Sequence, residues 1–182
     1  MRFVLWLAIV SAGIWGNLRA QPRPPDHGEW GGLEYLLGDW TGEGGGGPGQ
    51  GTGAFSFAPS LQGKILVRKN HAAYPAKQER PASAHDDLMI VYREGPEKHL
   101  RAIYFDSEEH LIRYAVEEPP GGGQIVFVSA PEPSAPSYRL TYTRVDANGV
   151  KIKFEIAPPG HPEQFATYIE ATAHRDTQSG PP

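Results

Sequence analysis

The sequence contains no cysteine. Disulfide bonds, thiolate metal sites and cysteine nucleophiles are therefore excluded, as is a lipid anchor on an N-terminal cysteine. The sequence also has no run of lysine and arginine, and 17 basic residues are outnumbered by 21 acidic ones, for a net charge of −4. Because nucleic acid is held largely through Lys and Arg contacts to phosphate, we predict no nucleic-acid partner.

Long hydrophobic runs are missing except near the N-terminus. There Arg2 precedes an apolar run over 3–15, and Ala20 ends a plausible cleavage site, so we predict a signal peptide over 1–20. The run is shorter than the roughly 20 residues that span a bilayer, although an uncleaved anchor is the alternative. We therefore expect a secreted or periplasmic protein that has no stable membrane anchor after cleavage.

The remaining chain is predicted to form one domain over 30–175. The segment 21–29 (QPRPPDHGE) is polar and rich in proline, which predicts a flexible N-terminal segment, and 176–182 is predicted to be a disordered tail. The stretch 30–37 places its large apolar residues near one helical face and predicts a short N-terminal helix. The 22 glycines and 18 prolines cluster between short apolar segments, as turns between strands do.

The clearest strand covers 150–156 (VKIKFEI), where apolar and charged residues alternate strictly. This pattern predicts that Val150, Ile152, Phe154 and Ile156 point inward while the residues between them face water. The preceding Asn-Gly pair favours a hairpin. Nine further strands are predicted over 39–44, 52–58, 64–73, 87–93, 99–106, 110–117, 124–129, 137–145 and 166–174. Ten short strands without a long helix indicate an all-β, antiparallel closed barrel or a sandwich.

Nucleotide-binding, metal-binding and catalytic motifs do not assign a function to the chain. The glycine run 42–47 formally contains G-x-G-x-x-G, but Pro48 and a strand follow it, where a dinucleotide site needs a helix. His85, Asp86 and Asp87 could offer metal ligands, yet solvated polar residues before a strand explain them equally, so no metal site is predicted. No serine lies in a G-x-S-x-G elbow, and no catalytic residue is assigned.

The hairpin over 99–117 carries the candidate site. If Asp106 and His110 flank a three-residue turn, Tyr104 pairs with Ile112, and Tyr114 lies on the same face. An apolar face with polar groups at one end is typical of a small-molecule site, so we predict that Tyr104, Asp106, His110 and Tyr114 bind ligand. The alternative is a turn-stabilising Asp–His pair with ordinary core tyrosines, since a one-residue slip in register would exchange the two faces.

The segment 36–44 (LLGDWTGEG), a short helix running into G-x-W-x-G-E-G, resembles the lipocalin-like (calycin) β-barrels. The similarity extends over 33–175; it is greatest to secreted bacterial families of this type and more remote to the nitrobindin-like haem-binding barrels. It implies a single antiparallel meander barrel of about eight to ten strands, in which Arg175 covers Trp40. The haem-binding relatives ligate iron through a last-strand histidine, but Tyr168 stands near that position, so no cofactor is predicted.

Three functional hypotheses follow. The first is an exported barrel that binds a small, mainly apolar ligand in its interior. The second is an enzyme that uses the same cavity, with His110 as acid or base and Asp106 orienting it. The third is a structural or interaction module of the cell envelope whose barrel is packed shut.

Overall fold

The computed structural model describes residues 30–77 and 80–176. The predicted signal peptide over 1–20, the flexible segment over 21–29 and the tail beyond residue 176 lie outside the described residues. Within the described part of the chain, no helix has the length and hydrophobicity of a transmembrane segment.

The described chain forms one short 3₁₀ helix followed by ten strands. The helix covers Gly31–Leu36. The strands are β1 (Gly38–Gly46), β2 (Gly51–Ser60), β3 (Ile65–Tyr74), β4 (Ser83–Glu94), β5 (His99–Asp106), β6 (Leu111–Glu117), β7 (Gln124–Ser129), β8 (Ser137–Arg144), β9 (Gly149–Ala157) and β10 (Ala166–Arg175).

All ten strands pair antiparallel with their sequence neighbours, and β1 pairs with both β2 and β10. Trp40 on β1, for example, lies opposite Phe55 on one side and Arg175 on the other. The sheet therefore closes into a barrel, and closure leaves no strand edge unpaired. The predicted all-β meander barrel is confirmed, and the sandwich alternative is wrong.

The 3₁₀ helix covers one end of the barrel, which we call the closed end. Trp30, Leu33 and Leu36 are all buried, and their spacing of three matches the three residues per turn of a 3₁₀ helix. The indole Nε1 of Trp40 donates to the carbonyl of Leu36 at 2.9 Å, which ties the helix to the first strand. The predicted short helix is thus present, with its apolar side on the barrel.

The interior is filled by the alternate residues of each strand. On β9, Val150 is fully buried, and Ile152 and Phe154 pack against the core, as the alternation predicted. Glu155, however, was predicted to face water and is only 5% exposed. The reason is local: Arg139 Nε donates to its Oε2 at 2.7 Å and Lys153 Nζ lies 3.2 Å from its Oε1, so neighbouring side chains cover the carboxylate.

Candidate functional site

Burial inside the barrel decreases from the closed end towards the opposite end, which we call the mouth. Near the closed end the inward-facing Trp40, Phe57 and Val150 are buried almost completely. Towards the mouth, inward-facing aromatic side chains are only half-buried, although their strands belong to a closed sheet. They include Tyr104, Tyr138 and Phe154, of which the last two stack with ring centroids 6.0 Å apart. Inward-facing aromatic side chains are therefore partly exposed at the mouth.

A charged pair lies inside this otherwise apolar barrel. Arg68 on β3 forms a salt bridge with Asp87 on β4, and their side chains are 7% and 4% exposed. Asn70 Nδ2 donates to the second carboxylate oxygen of Asp87 at 2.8 Å. The guanidinium also lies 5.6 Å from the ring centroid of Phe55. Because removing two charges from water costs several kcal/mol per ion unless other bonds compensate, such a pair in a barrel interior calls for a reason beyond folding.

His85 connects the charged pair to the mouth. Its Nε2 lies 3.4 Å from Asp87 Oδ2 and 3.0 Å from the Tyr104 hydroxyl, while its Nδ1 lies 3.1 Å from Glu108 Oε1. The interaction with Asp87 raises the pKa of His85 to about 9, with burial opposing the shift and Glu108 adding to it. The ring is therefore protonated at neutral pH and both nitrogens act as donors. We call Arg68, Asn70, His85, Asp87 and Tyr104 the interior polar cluster.

The hairpin register is the predicted one, since Tyr104 pairs with Ile112 and Ala102 with Tyr114. Tyr104 and Tyr114 both face the interior, and their rings meet edge-on with centroids 6.4 Å apart. Burial is the main cause that raises the pKa of each phenol well above its usual value. Both hydroxyls are therefore neutral, and that of Tyr104 lies 3.0 Å from His85 Nε2.

Asp106 and His110 lie at the mouth, where they bond to each other. Asp106 Oδ1 accepts from the backbone N–H groups of Glu108 and His110, and its Oδ2 lies 2.8 Å from His110 Nδ1. Burial alone would raise the pKa of Asp106, but these bonds hold it below its usual value. Both oxygens thus stabilise the turn over 107–110, and the ring of His110 is exposed. A contact of this pair with ligand stays a prediction.

One group could hold a metal ion among the described residues: His85, Asp106 and Glu108, whose ligand atoms all lie within 4.8 Å of one another. It differs from the run considered in the sequence, because Asp86 points away and pairs with His71 at 2.7 Å. A cation at this group would have to displace the proton of His85. Hydrogen bonds already engage the carboxylate of Asp106, so we assign no metal to it.

Tyr168, near the position where haem-binding relatives carry a histidine, lies at a β-bulge in β10. It is 41% exposed, and its ring meets Phe154 edge-on at 6.3 Å and lies directly over Gly47. This places the phenol at the rim of the mouth, packed against a turn. The position of Tyr168 therefore does not suit a ligand of haem iron in the barrel interior.

A separate groove with a volume of about 1330 Å³ lies outside the barrel, over the outward faces of β7 to β10 and the end of β1. Its lining includes Arg139, Thr141, Lys153 and Glu155, of which the arginine and the glutamate bond to each other. Polar and charged side chains of this kind do not suit an apolar ligand. The interior therefore remains the better candidate site.

The sequence did not identify Arg68 or Asp87 as site residues. Both belong to strands whose pattern does not alternate: 65–74 reads ILVRKNHAAY, and 83–94 reads SAHDDLMIVYRE. A signal was nevertheless present, because Arg68 and Asp87 sit on the same faces as the apolar residues Leu66 and Met89. An ionisable residue in phase with a strand's apolar positions predicts a buried charge.

Comparisons with known proteins add little. No family model matches the chain, and no curated protein matches it. Among solved structures, the chain is similar to a fluorescence-activating β-barrel designed de novo, with a TM-score of 0.42 and 9% sequence identity over 79% of this chain and 96% of that one.

Proposed function

We propose that this protein is an exported, lipocalin-like barrel that binds a small, mainly apolar molecule inside its mouth. The observation that carries the proposal is the burial gradient. Aromatic side chains that face the interior are covered at the closed end and partly exposed at the mouth. Apolar surface left open inside a rigid, closed sheet is the usual composition of a ligand site.

The interior polar cluster supports the same reading. A few convergent polar groups in an apolar pocket fix the orientation of a ligand, and they cost stability when nothing binds there. Arg68, Asp87 and His85 come from neighbouring strands and converge inside the barrel. A barrel packed shut as a structural module would be more stable with apolar residues at these positions.

Export belongs to the proposal as well, and it depends on the sequence pattern over 1–20. The expected outcome is a mature protein that begins at Gln21. N-terminal sequencing of protein recovered outside the cytoplasm tests this directly, and material that still begins at Met1 would refute cleavage. This measurement is independent of whether the barrel binds ligand.

Binding is tested with N-phenyl-1-naphthylamine, a neutral apolar probe whose fluorescence rises in apolar surroundings. We expect saturable binding to the purified protein and a weakening by about tenfold or more in Ile152→Trp, because Ile152 faces the interior. The control is Lys151→Trp, which adds the same side chain to the adjacent, exposed position. Absence of saturable binding, or equal weakening by both substitutions, contradicts an interior site.

A further inference from the structure

The groove outside the barrel, which we call the outer groove, has the dimensions of a second binding site. Its volume is about 1330 Å³, and it extends over four paired strands, β7 to β10, to the end of β1. Small-molecule pockets have volumes of roughly 300–1,000 Å³, so the outer groove has room for an elongated ligand. Its lining comes mainly from outward-facing positions, which separates it from the barrel interior.

Strand pairing arranges the polar side chains of the outer groove in two rows. The first row crosses five strands, and each member lies opposite the next: Gln124, Thr143, Lys151, Thr172 and Glu43. The second row lies beside it and is formed by Thr141, Lys153 and Glu170. Neighbouring strands are about 4.8 Å apart, so a chain molecule laid across them meets a hydrogen-bonding side chain at each such step.

The charges that line the outer groove nearly balance. Three basic and four acidic residues are present: Arg139, Lys151, Lys153, Glu43, Glu117, Glu155 and Glu170. Two of the bases are already engaged, since Arg139 and Lys153 both form salt bridges with Glu155. An anionic ligand would meet four carboxylates and a cationic ligand three bases, so the groove favours neither sign of charge. An apolar ligand would cover these polar groups without bonding to them, which is unfavourable.

The side chains of the two rows suit the hydroxyl groups of a ligand. Threonine and glutamine both donate and accept hydrogen bonds, lysine only donates, and glutamate only accepts. A hydroxyl group can donate and accept, so it can bond to every one of these residue types. A neutral molecule with hydroxyl groups on each repeating unit therefore matches both rows.

An extended peptide fits the outer groove less well. Peptides often bind to sheets by pairing with the backbone of an open strand edge. The ten strands form a closed barrel, so no strand edge is open at the groove. Binding there depends on side chains.

Aromatic residues lie at the mouth end of the outer groove. The guanidinium of Arg139 lies 4.2 Å from the ring centroid of Phe165 and bonds to Glu155, which holds it in one orientation. Tyr168 lines the groove and is 41% exposed. An exposed aromatic ring beside rows of hydrogen-bonding groups offers a flat surface to the C–H groups of a sugar ring.

We propose that the outer groove binds a neutral saccharide chain that lies across β7 to β10. The two rows bond to its hydroxyl groups, and Tyr168 packs against the face of one sugar unit. This site is independent of the interior site, so either one can be lost without the other.

Four neutral hexasaccharides test the proposal by isothermal titration calorimetry of the purified protein. They are chitohexaose, cellohexaose, laminarihexaose and maltohexaose. We expect saturable binding of at least one, with an affinity that changes less than about twofold between about 50 mM and about 500 mM NaCl, because a neutral ligand makes no ion pairs for salt to screen. The hexamer of galacturonate is the charged comparison and should bind at least about fivefold more weakly, since it brings carboxylates next to those of the groove.

Two pairs of variants locate the site. Thr172→Val removes an exposed hydroxyl from the first row and keeps a β-branched side chain, so it should weaken binding by about two- to tenfold, the loss of one hydrogen bond. Its control is Thr41→Val, at an exposed position of β1 that does not line the outer groove. Tyr168→Ala should weaken binding by about fivefold or more. Its control is Phe105→Ala, which removes an equally exposed ring, 41%, from β5.

Each contrary outcome overturns a stated part of the proposal. If none of the four hexasaccharides binds, the outer groove is not a saccharide site, and the interior site is unaffected. If the galacturonate hexamer binds most tightly, or if affinity falls steeply with salt, the ligand is not neutral. If Thr172→Val binds as well as Thr41→Val, and Tyr168→Ala as well as Phe105→Ala, the saccharide binds elsewhere. Displacement of N-phenyl-1-naphthylamine by a saccharide would place it in the interior and contradict two independent sites.

Discussion

The guanidinium of Arg175 lies over the indole ring of Trp40, with its central carbon 4.4 Å from the ring centroid. This contact joins the last strand to the first, as the resemblance to lipocalin-like barrels implied. The guanidinium also donates to the carbonyls of Leu37 and Tyr35, the latter at 2.8 Å. One side chain thereby fixes the 3₁₀ helix, the first strand and the last strand together at the closed end.

Arg175→Lys should therefore destabilise the protein by about 1–3 kcal/mol. Lysine keeps the charge but loses the flat stacking surface and the fork that reaches two carbonyls. Urea unfolding monitored by tryptophan fluorescence measures the change. Arg101→Lys is the control, since its salt bridge with Glu94 is exposed and should be worth no more than about 0.5 kcal/mol. Equal stabilities for the two variants would show that the contact does not hold the closed end.

Phe57 and Phe154 test the burial gradient with one type of side chain. Phe57 is 1% exposed near the closed end, and Phe154 is half-buried near the mouth. Phe57→Ala should cost about 3–5 kcal/mol, as for a fully buried phenylalanine, and Phe154→Ala clearly less. Phe154→Ala should in turn weaken binding of N-phenyl-1-naphthylamine. Equal costs in urea unfolding would indicate an interior that is packed shut at both ends.

The sequence predicted the barrel well because its strands carry strong local signals. The strict alternation over 150–156 and the Asn-Gly turn before it define a hairpin without any tertiary information. The three-residue turn between Asp106 and His110 likewise set the correct register of β5 and β6. The spacing of Trp30, Leu33 and Leu36 marked the helix, although not its 3₁₀ form.

The interior polar cluster could not be predicted in the same way. Arg68 and Asp87 are 19 residues apart and meet only through the pairing of β3 with β4, which no local pattern defines. Phe55 on β2 contacts both Arg68 and Tyr142, and this meeting depends further on barrel closure, because the strands of the last two lie on opposite sides of the barrel. Glu155 was misjudged for a related reason, since the neighbouring strand supplies Arg139. The period-two pattern of a single strand therefore cannot predict which side chains of different strands meet.

Glu155→Gln should cost about 1 kcal/mol at pH 7. The hydrogen bond from Arg139 is the main cause that lowers the pKa of Glu155, with burial opposing it and Lys153 assisting. A carboxyl whose pKa is lowered by folding adds stability above its unfolded pKa and loses it as the pH falls through the folded value. The difference between wild type and variant should therefore shrink below about pH 4. Glu43→Gln, at an exposed position, is the control and should show no such trend.

His85 should make stability depend on pH in the alkaline direction. Its pKa is raised from 6.5 to about 9, chiefly by the interaction with Asp87 and then by Glu108, against the effect of burial. A group whose pKa is raised by folding contributes its full stabilisation below the unfolded pKa and loses it as the pH rises through the folded pKa. The free energy of unfolding should thus fall between about pH 6.5 and pH 9, by on the order of 1–2 kcal/mol once solvent screening is allowed for.

The measurement is a series of urea unfolding curves from pH 6 to pH 9.5, together with an NMR titration of the histidine rings. His85→Gln should remove most of the alkaline decline. His99→Gln should retain it, because His99 pairs only with the exposed Glu97 at 2.7 Å on the outside of the hairpin. If the His85 ring titrates near pH 6.5, Asp87 and Glu108 do not hold its proton.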